Sequence, residues 1–464
     1  MLKLFKNSIT LLMRLLVFVL CGGVFFLLMG QKYFFLLRLS RTAAVTAVSF
    51  GIVYLLMTRV YGGYDIGVRK SKPIIFSLSL TLLFADLVAH LMFCIMNVTV
   101  VHFGRFVYEY PGRLLLIYVL QVAIVIVAAY AGNGLYFRIN PPQHCLIITD
   151  RGENAADLVK KVGRFKKQYR IEGIAYYDQE DITALIDGCD AVFLYNLEPV
   201  KRSRIVSYCY QNWKVIYYSI EPEDVVSLGS QRLLFDDKSM ICASSRELTF
   251  EQRVLKRLMD IIVSAIGLVI ASPIMLVTAL AIKLEDRGPV FYKQKRCTKN
   301  GEVFEILKFR SMIVDAEKGG KSIPCRSGDP RITRVGRVIR KLRIDEFPQI
   351  INVLKGDMSI VGPRPERIEH VEEYTKEIPE FSYRLRVKGG LTGYAQIYGK
   401  YNTSPYDKLR LDLQYIEKQS ILLDLKLILL TIKIMFVPES TEGFTEEKSA
   451  QMTEKTKSIN EIEE

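Results

Sequence analysis

The sequence predicts a membrane protein that combines α-helical and α/β parts, and three patterns lead to this fold class. Apolar blocks dominate about the first 135 residues. From residue 144 onward, short apolar runs alternate with polar helical stretches. A further long apolar segment precedes a strongly basic region. We therefore expect an N-terminal four-helix transmembrane bundle, a Rossmann-like α/β middle domain and a mostly helical monotopic domain with a re-entrant membrane helix hairpin.

The composition limits the classes of partner and cofactor. The chain of 464 residues has 63 Lys+Arg against 49 Asp+Glu, a formal net charge of +14. This excess suits phosphorylated substrates and anionic lipid headgroups; we expect no nucleic-acid partner, because the apolar blocks already place the chain in a membrane. The eight cysteines form no C-x-x-C pair, and the four histidines show no ligand spacing. Reduced, buried thiols are expected, without a zinc site.

Four segments of the N-terminal part, residues 1–138, approach the roughly 20 apolar residues that span a bilayer. They cover residues 9–29, 43–61, 74–98 and 113–132. A weak bias of basic residues places the N-terminus in the cytoplasm and returns the chain there near residue 135. Asp86 and His90 lie four residues apart in the third segment, where an interhelical hydrogen bond is favoured over a functional ion pair.

The middle segment, residues 139–245, has the pattern of a doubly wound parallel sheet. Its apolar runs CLIITD, IEGIAYY, AVFLYN and KVIYYSI are typical of buried strands separated by helices. The first strand-to-helix turn contains the single glycine Gly152 and lacks the G-x-G-x-x-G pattern of dinucleotide sites. We therefore expect no redox dinucleotide, and interpret this domain as a spacer, an interaction surface or a degenerate ligand-binding module.

Residues 258–282 form one more segment that is apolar enough to cross a membrane. Basic residues flank it on both sides, at Arg253, Lys256, Arg257, Lys283 and Arg287. Positive charge at both ends indicates that both ends are cytoplasmic. Ser272 and Pro273 lie near the middle, where proline removes a helix hydrogen bond. We predict a re-entrant hairpin that breaks at Ser272-Pro273; the alternative is a fifth spanning helix with a proline kink.

The chain after this segment is rich in arginine and lysine. Lys308 and Arg310 lie two apart in KFRSM, as on one face of a strand. The run DPRITRVGRVIRKLR repeats arginine at every third position, namely Arg331, Arg334, Arg337 and Arg340. On a helix these arginines would cover one side, a pattern typical of a membrane-surface helix. Some of them are also candidates to hold phosphate, because guanidinium matches phosphate oxygens in a bidentate fashion.

Two adjacent carboxylates, Asp345 and Glu346, directly follow this basic run. A carboxylate close to several cations stays ionised, can hold Mg²⁺ through its oxygens and can attack phosphorus. Arg364 follows in GPRP, a proline-stiffened turn suited to gripping a phosphate. The alternative interpretation is a helix terminus that ends in two solvated acids.

Several motifs occur in the order found in one known family. They are KRLMD, the Ser272-Pro273 pair, GPVFYKQKR, LKFRSM, DPRITRVGRVIRK, DEFPQIINVLKGDMSIVGPRP, GLTGYAQIYGK and DLQYIEKQSILLDLKLI. With this ordered set, residues 251–438 resemble the bacterial sugar transferases, the monotopic phosphoglycosyl transferases. The upstream spans and α/β segment resemble the large subclass that initiates capsule and exopolysaccharide repeat units.

This resemblance implies a catalytic domain at residues 246–438 that moves a sugar 1-phosphate from a UDP-sugar to undecaprenyl (polyprenyl) phosphate and releases UMP. It implies that Asp345 is the nucleophile that forms an aspartyl-phosphosugar, that Glu346 is its partner, and that Mg²⁺ binds at these two carboxylates. It also implies that the substrate phosphates are bound by Lys308, Arg310, Arg331, Arg334 and Arg364. The motifs do not identify the sugar, although glucose or galactose is typical of the subclass.

Location and partners follow from the same resemblance. We expect a multi-pass protein of the bacterial cytoplasmic (inner) membrane that contacts membrane lipid and has its catalytic domain on the cytoplasmic face. A homodimer through the non-catalytic domains is expected, and the polar tail at residues 439–464 is expected to be disordered. The main alternative is a non-catalytic membrane scaffold that regulates polysaccharide assembly; the intact DE, KFRSM and GPRP motifs count against it.

Overall fold

A computed structural model describes residues 6–63, 65–100, 108, 110–151, 155–242, 247–314, 316, 329–399 and 403–435. Gly152 and the tail at 439–464, for which the sequence made predictions, lie outside the described residues. The chain is mostly helical and divides into two compact units, Met1–Ser219 and Ile220–Glu464. The division falls inside the segment 139–245 that the sequence indicated as the middle domain.

Four long helices begin the first unit. They are α1 (Lys6–Gly30), α2 (Arg41–Tyr61), α3 (Ser71–Val100) and α4 (Pro111–Ile139). Helix α2 packs against α3, α3 against α4 and α4 against α1, around an apolar core that includes Phe25, Phe50, Leu78 and Ile117. All four have the length and apolar composition needed to cross a membrane, in agreement with the four predicted segments.

A buried polar contact joins α3 to α4. The side-chain amide of Gln121 donates to Asp86 Oδ1 at 3.1 Å and to the Cys21 carbonyl at 3.0 Å. The interhelical hydrogen bond predicted for Asp86 is therefore present, whereas His90 lies 3.6 Å from Cys94 Sγ of its own helix. Such contacts satisfy polar atoms that would be costly to leave bare among apolar side chains.

A four-stranded parallel sheet completes the first unit. Its strands β1 (Gln143–Thr149), β2 (Tyr169–Tyr176), β3 (Ala191–Leu194) and β4 (Val215–Tyr218) lie in the order β2-β1-β3-β4. The connecting helices are α5 (Ala156–Val162), α6 (Ile182–Asp187) and α7 (Pro199–Gln211). Ile186, Ile205 and Cys209 of these helices cover one face of the sheet, where they contact Leu146 and Val192. The predicted parallel sheet with crossover helices is confirmed.

The second unit begins with α8 (Pro222–Gly229) and an antiparallel hairpin of β5 (Gln231–Phe235) and β6 (Lys238–Cys242). The sequence did not predict this hairpin. Several of its apolar side chains are exposed, namely Leu233, Leu234, Phe235, Met240 and Ile241. A two-stranded hairpin is marginally stable by itself in water, so its exposed apolar residues need explanation.

The longest helix of the second unit is α9 (Phe250–Asp286). Its backbone is α-helical through Ser272 and Pro273. Proline cannot donate to the carbonyl of Val269, four residues earlier. The hydroxyl of Ser272 donates to that carbonyl instead, at 2.8 Å. The side chain of Ser272 therefore supplies the hydrogen bond that Pro273 lacks, and the helix continues.

Helix α9 is the fifth helix that is long and apolar enough to cross a membrane. Ile266, Val269, Ile270, Leu276 and Val277 are each more than half exposed to solvent in the structure. At about 100° per residue these side chains share one broad side of the helix, opposite the buried Ala271 and Thr278, and so long an exposed apolar side requires an apolar surrounding. Together with α1 to α4, α9 marks the chain as a membrane protein.

The remaining elements form the body that carries the site. They are β7 (Phe291–Cys297), β8 (Val303–Phe309), α10 (Arg334–Lys341), α11 (Gln349–Lys355), β9 (Ser359–Val361), α12 (Ile368–Glu377), β10 (Gly390–Thr392), α13 (Tyr394–Tyr398), α14 (Pro405–Glu417) and α15 (Ile421–Met435). β7 and β8 pair antiparallel, and β9 pairs parallel with β10. Ile282 of α9 packs against Phe309 and Ile339, which joins α9 to β8 and α10.

Candidate active site

Asp345 and Glu346 lie in a short 3₁₀ helix, Ile344–Glu346, between α10 and α11. Helix α10 ends at Lys341, and Arg343 adopts a left-handed conformation with φ of 56°, which turns the chain sharply before the two acids. At Gly336 a Cβ atom would meet the carbonyl of Ser311 at 2.0 Å, so only glycine lets α10 approach the segment after β8 this closely. These two features set the position of the carboxylates relative to β8.

Two cations converge on Glu346. Arg364 Nη2 donates to Glu346 Oε1 at 2.5 Å, and Lys308 Nζ lies 3.7 Å from the same oxygen. The Glu346 and Lys308 side chains are each 19% exposed. Burial alone would raise the pKa of Glu346, but the positive charges of Arg364 and Lys308 outweigh it and hold that pKa well below its usual range. Glu346 is therefore a carboxylate that remains ionised and held in place.

Asp345 is in a different electrostatic situation from its neighbour. Its side chain is half-buried and makes no hydrogen bond or ion pair with the residues that the structure describes. Burial, together with the negative charge of Glu346, raises the pKa of Asp345 to about 6. At neutral pH this carboxylate is ionised, yet it is more basic than an ordinary aspartate and has an oxygen free to react.

The turn that carries Arg364 is held by α9 and by the C-terminal helices. Asp260 Oδ1 of α9 accepts hydrogen bonds from the Ser359 hydroxyl and the Ile360 amide, both at 3.1 Å. Lys256 donates to the Val361 carbonyl at 3.1 Å and to Asp424 Oδ2 of α15 at 2.6 Å. Hydrogen bonds from Asp260 and Lys256 thus hold the backbone of β9 directly before the GPRP turn. Helix α9 thereby helps to set the position of Arg364.

The other predicted phosphate ligands, Arg310, Arg331 and Arg334, have different surroundings in the structure. The Arg310 guanidinium is buried; its Nη1 donates to Asp286 Oδ2 at 2.6 Å, and its Nε donates to the Pro289 carbonyl at 2.7 Å. In the structure Arg310 therefore anchors the end of α9, with its guanidinium engaged by protein partners. Arg331 donates to Asp329 Oδ2 at 2.6 Å. Arg334 is exposed at the start of α10.

Arg296 was not predicted from the sequence, although it lies close to the site. It is 14% exposed, and its Nη1 donates to the Pro365 carbonyl at 3.3 Å. Burial and the neighbouring Arg364 lower the pKa of Arg296 to about 10. A signal was present in the sequence, since alternate residues of a strand share one face. In the β7–β8 hairpin Tyr292 pairs with Lys308, which puts Arg296 and Lys308 on the same face.

The dyad suits a Mg²⁺ ion held jointly with a substrate. Among the described residues, no three or more His, Cys, Asp or Glu side chains converge as a metal cluster. Mg²⁺ is usually bound through one or two carboxylates together with substrate phosphates, and does not need such a cluster. Asp345 makes no hydrogen bond or ion pair with the described residues, so its oxygens are available as ligands for the ion. Glu346 Oε1 already accepts a hydrogen bond from Arg364. The residues present therefore fit the ion.

Comparison with known proteins adds an independent finding. Residues 251–438 match the family described as bacterial sugar transferase. The chain is 46% identical over 182 residues to UDP-N-acetylgalactosamine-undecaprenyl-phosphate N-acetylgalactosaminephosphotransferase of Aeromonas hydrophila, covering 39% of this chain and 43% of that protein. It is 40% identical over 190 residues to UDP-glucose:undecaprenyl-phosphate glucose-1-phosphate transferase of Caulobacter vibrioides, covering 40% of this chain and 71% of that protein.

A third relative, galactosyl transferase CpsE of Streptococcus agalactiae, is 37% identical over 235 residues, covering 48% of this chain and 51% of the relative. The chain thus spans about half or less of the length of the relatives from Aeromonas and Streptococcus. The three relatives are named for three different sugars. Similarity to them therefore leaves the sugar open.

Proposed function

Because the chain belongs to the bacterial sugar transferase family, we propose that it transfers a sugar 1-phosphate from a UDP-sugar to undecaprenyl phosphate and releases UMP. The observation that carries this proposal is the dyad itself, in which one carboxylate is neutralised by cations and the other is free. That division suits a reaction in which one group attacks phosphorus while its neighbour remains ionised among phosphate-binding cations.

Asp345 is the nucleophile in the proposed reaction. One of its oxygens forms a bond to the sugar-bearing phosphorus of the UDP-sugar. The bond from that phosphorus to the bridging oxygen breaks, and its electron pair leaves with UMP. A phosphate oxygen of the polyprenyl phosphate then attacks the same phosphorus, breaks the bond to Asp345 and restores the carboxylate. The unpartnered, relatively basic carboxylate supports this assignment.

Glu346, Arg364 and Lys308 prepare the surroundings of that reaction. Glu346 holds the two cations at the site, and through them it is placed to orient the lipid phosphate. Arg364 and Lys308 offset the negative charge of a diphosphate and a lipid phosphate brought together. Mg²⁺ would be held at Asp345 and Glu346, where it would neutralise charge on the pyrophosphate.

We further propose that α9, although helical throughout, bends at Pro273, so that it enters the membrane and returns to the same side. Its first part is bonded to the body of the second unit, because Arg257 donates to the carbonyls of Val353 and Leu354 at 2.7 Å each. Its last part is bonded to the same body, because Glu285 Oε1 accepts from the Arg334 amide at 2.7 Å. A body this rich in charge cannot lie in hydrocarbon, so both ends of α9 belong on one side of the membrane.

Labelling of single cysteines tests this topology. With the exposed native Cys242 replaced by serine, Leu284→Cys should remain unlabelled when a membrane-impermeant thiol reagent is added to intact cells. Leu39→Cys, in the exposed segment between α1 and α2, should be labelled and is the matched control. Labelling of Leu284→Cys with the efficiency of Leu39→Cys would contradict the re-entrant arrangement and a cytoplasmic active site.

The reaction is tested by release of UMP. The purified full-length protein, with undecaprenyl phosphate and Mg²⁺, should release UMP from at least one of UDP-glucose, UDP-galactose, UDP-N-acetylglucosamine and UDP-N-acetylgalactosamine. The preferred sugar is the one that gives the highest kcat/KM. A folded protein that releases no UMP from any of them would favour the alternative, a non-catalytic scaffold that regulates polysaccharide assembly.

We also propose that the protein forms a homodimer. The support is the β5–β6 hairpin, in which Leu233 and Met240 lie on one face and Leu234 and Ile241 on the other, all exposed. Contact with a second chain would remove this apolar surface from water. The double change Leu234→Lys and Ile241→Lys should halve the mass measured by light scattering in lipid nanodiscs. An unchanged mass for this variant and the wild type would contradict a dimer through the hairpin.

A further inference from the structure

A buried ion pair beside the active-site turn has no part in the proposed reaction. Arg384 lies in the 3₁₀ helix Pro379–Arg386, and Asp412 lies in α14. Their side chains are only 3% and 1% exposed. Arg384 Nη2 and Nε both donate to Asp412 Oδ2, at 2.7 and 3.1 Å. Burying two charges is costly, and apolar residues of similar volume would often stabilise a protein at least as well, so stability alone does not explain the pair.

Arg384 also contacts the main chain of the turn. Its Nη2 donates to the carbonyl oxygen of Arg364 at 2.9 Å, and its Nη1 lies 3.7 Å from Glu366 Oε1. Arg384 therefore holds the turn on both sides of Pro365. Because the side chain of Arg364 donates to Glu346, a shift of the Arg364 backbone would shift its contact with the dyad.

The orientation of the Arg384 guanidinium is set by several contacts at once. Its central carbon lies 4.8 Å from the centroid of the Phe381 ring, and its nitrogens face Asp412, the Arg364 carbonyl and Glu366. A planar guanidinium with partners on several edges has little freedom to rotate. Lysine keeps the charge but cannot reproduce this fixed arrangement.

We infer that Arg384 and Asp412 are positioning residues that fix the backbone at Arg364 and so keep its guanidinium on Glu346. The inference rests on the proposed function, in which Arg364 acts on the dyad and on substrate phosphate. Neither residue touches the reacting atoms. Their effect on turnover passes through Arg364, and this dependence separates them from residues that only stabilise the fold.

The test compares single and double variants of the full-length protein by kcat and KM for UMP release. Arg384→Lys and Asp412→Asn should each lower kcat/KM by about 10- to 100-fold, as expected when a catalytic group is displaced by a fraction of an ångström to an ångström. Arg364→Lys should lower it by at least as much. Adding Arg384→Lys to Arg364→Lys should cause almost no further loss, because residues that act through one another are not additive.

Arg410→Lys is the matched control. Arg410 lies on α14 like Asp412, and it donates to Glu221 Oε1 and Oε2 at 2.7 Å each. This change should lower Tm about as much as Arg384→Lys and leave kcat/KM within about twofold of wild type.

Two results would overturn the inference while wild-type activity stands. One is an equal loss of kcat/KM in Arg384→Lys and Arg410→Lys at similar Tm. The other is a double variant whose loss is the product of the two single losses. If Arg384→Lys does not fold, the isosteric Asp412→Asn takes its place. It is then compared with Arg410→Lys, and it is combined with Arg364→Lys in the double variant. Absence of UMP release from the wild type itself would refute the proposed function, a separate outcome.

Discussion

Replacement of Asp345 by asparagine is expected to abolish transfer, with a loss of roughly 10,000-fold or more in kcat. The amide has the size of the carboxylate but no nucleophilic oxygen charge. Wild-type protein incubated with a UDP-sugar labelled in the sugar, without lipid, should retain label on the polypeptide. Asp345→Asn should retain none. Turnover of the wild type should be ping-pong, because UMP leaves before the lipid phosphate reacts.

The control for this experiment is a change that keeps the carboxylate but displaces it. Asp345→Glu places the charge one methylene further from the backbone, so we expect weak labelling and residual turnover. A different result would contradict the covalent intermediate. If wild-type protein released UMP only with lipid present and never retained label, then the lipid phosphate would attack the UDP-sugar directly, and the covalent intermediate would be wrong while the enzyme class would stand.

Replacement of Glu346 by glutamine should lower turnover by about 100- to 1,000-fold without removing the attacking oxygen. The change takes away the negative charge that Arg364 and Lys308 contact, so both cations lose their main partner. Label from the UDP-sugar should still become attached to Asp345, because the nucleophile is intact. Transfer of the labelled group to undecaprenyl phosphate should be slow, since the cations that bind the lipid phosphate are no longer held in place by Glu346.

An exposed carboxylate provides the comparison for Glu346. Glu305 pairs with Lys293 at 3.0 Å on the β7–β8 hairpin, and its side chain is 54% exposed. Glu305→Gln should leave turnover within about twofold of wild type, because exposed ion pairs contribute little. A folded Glu346→Gln protein with wild-type turnover would remove Glu346 from the mechanism and leave it as a structural partner of Arg364.

The positions of the dyad and of the membrane helices could be predicted from the sequence because they depend on local patterns. An apolar run of about 20 residues indicates a membrane helix whatever the rest of the fold. All four N-terminal segments are helices. The parallel sheet of the first unit is likewise set by its short apolar runs. Asp345 and Glu346 are adjacent in the chain, so their proximity needs no tertiary information.

Lys308 and Arg364 were both expected near the dyad and contact Glu346, whereas the partners of Arg310 and Arg331 could not be predicted in the same way. Lys308 and Arg310 were expected to share one strand face, but β8 ends at Phe309 and the chain after it directs Arg310 to Asp286. Arg331 was expected on a helix that in fact begins at Arg334, after Thr333 as its N-cap, and it pairs with Asp329 instead. The direction of a side chain depends on whether its residue lies inside a helix or strand or just beyond its end. The hydrophobic periodicity of a sequence predicts these end positions poorly.

Ser272 donates a hydrogen bond to the Val269 carbonyl, and because of this bond the effect of a substitution at 272 depends on the residue at 273. In hydrocarbon no water can replace that bond, so Ser272→Ala would leave a bare carbonyl and cost several kcal/mol. Pro273→Ala restores the backbone amide that bonds to Val269, after which the hydroxyl at 272 becomes dispensable. The hydroxyl at 272 thus stabilises α9 only while proline occupies 273, so the stability cost of Ser272→Ala should disappear when Pro273→Ala is also present.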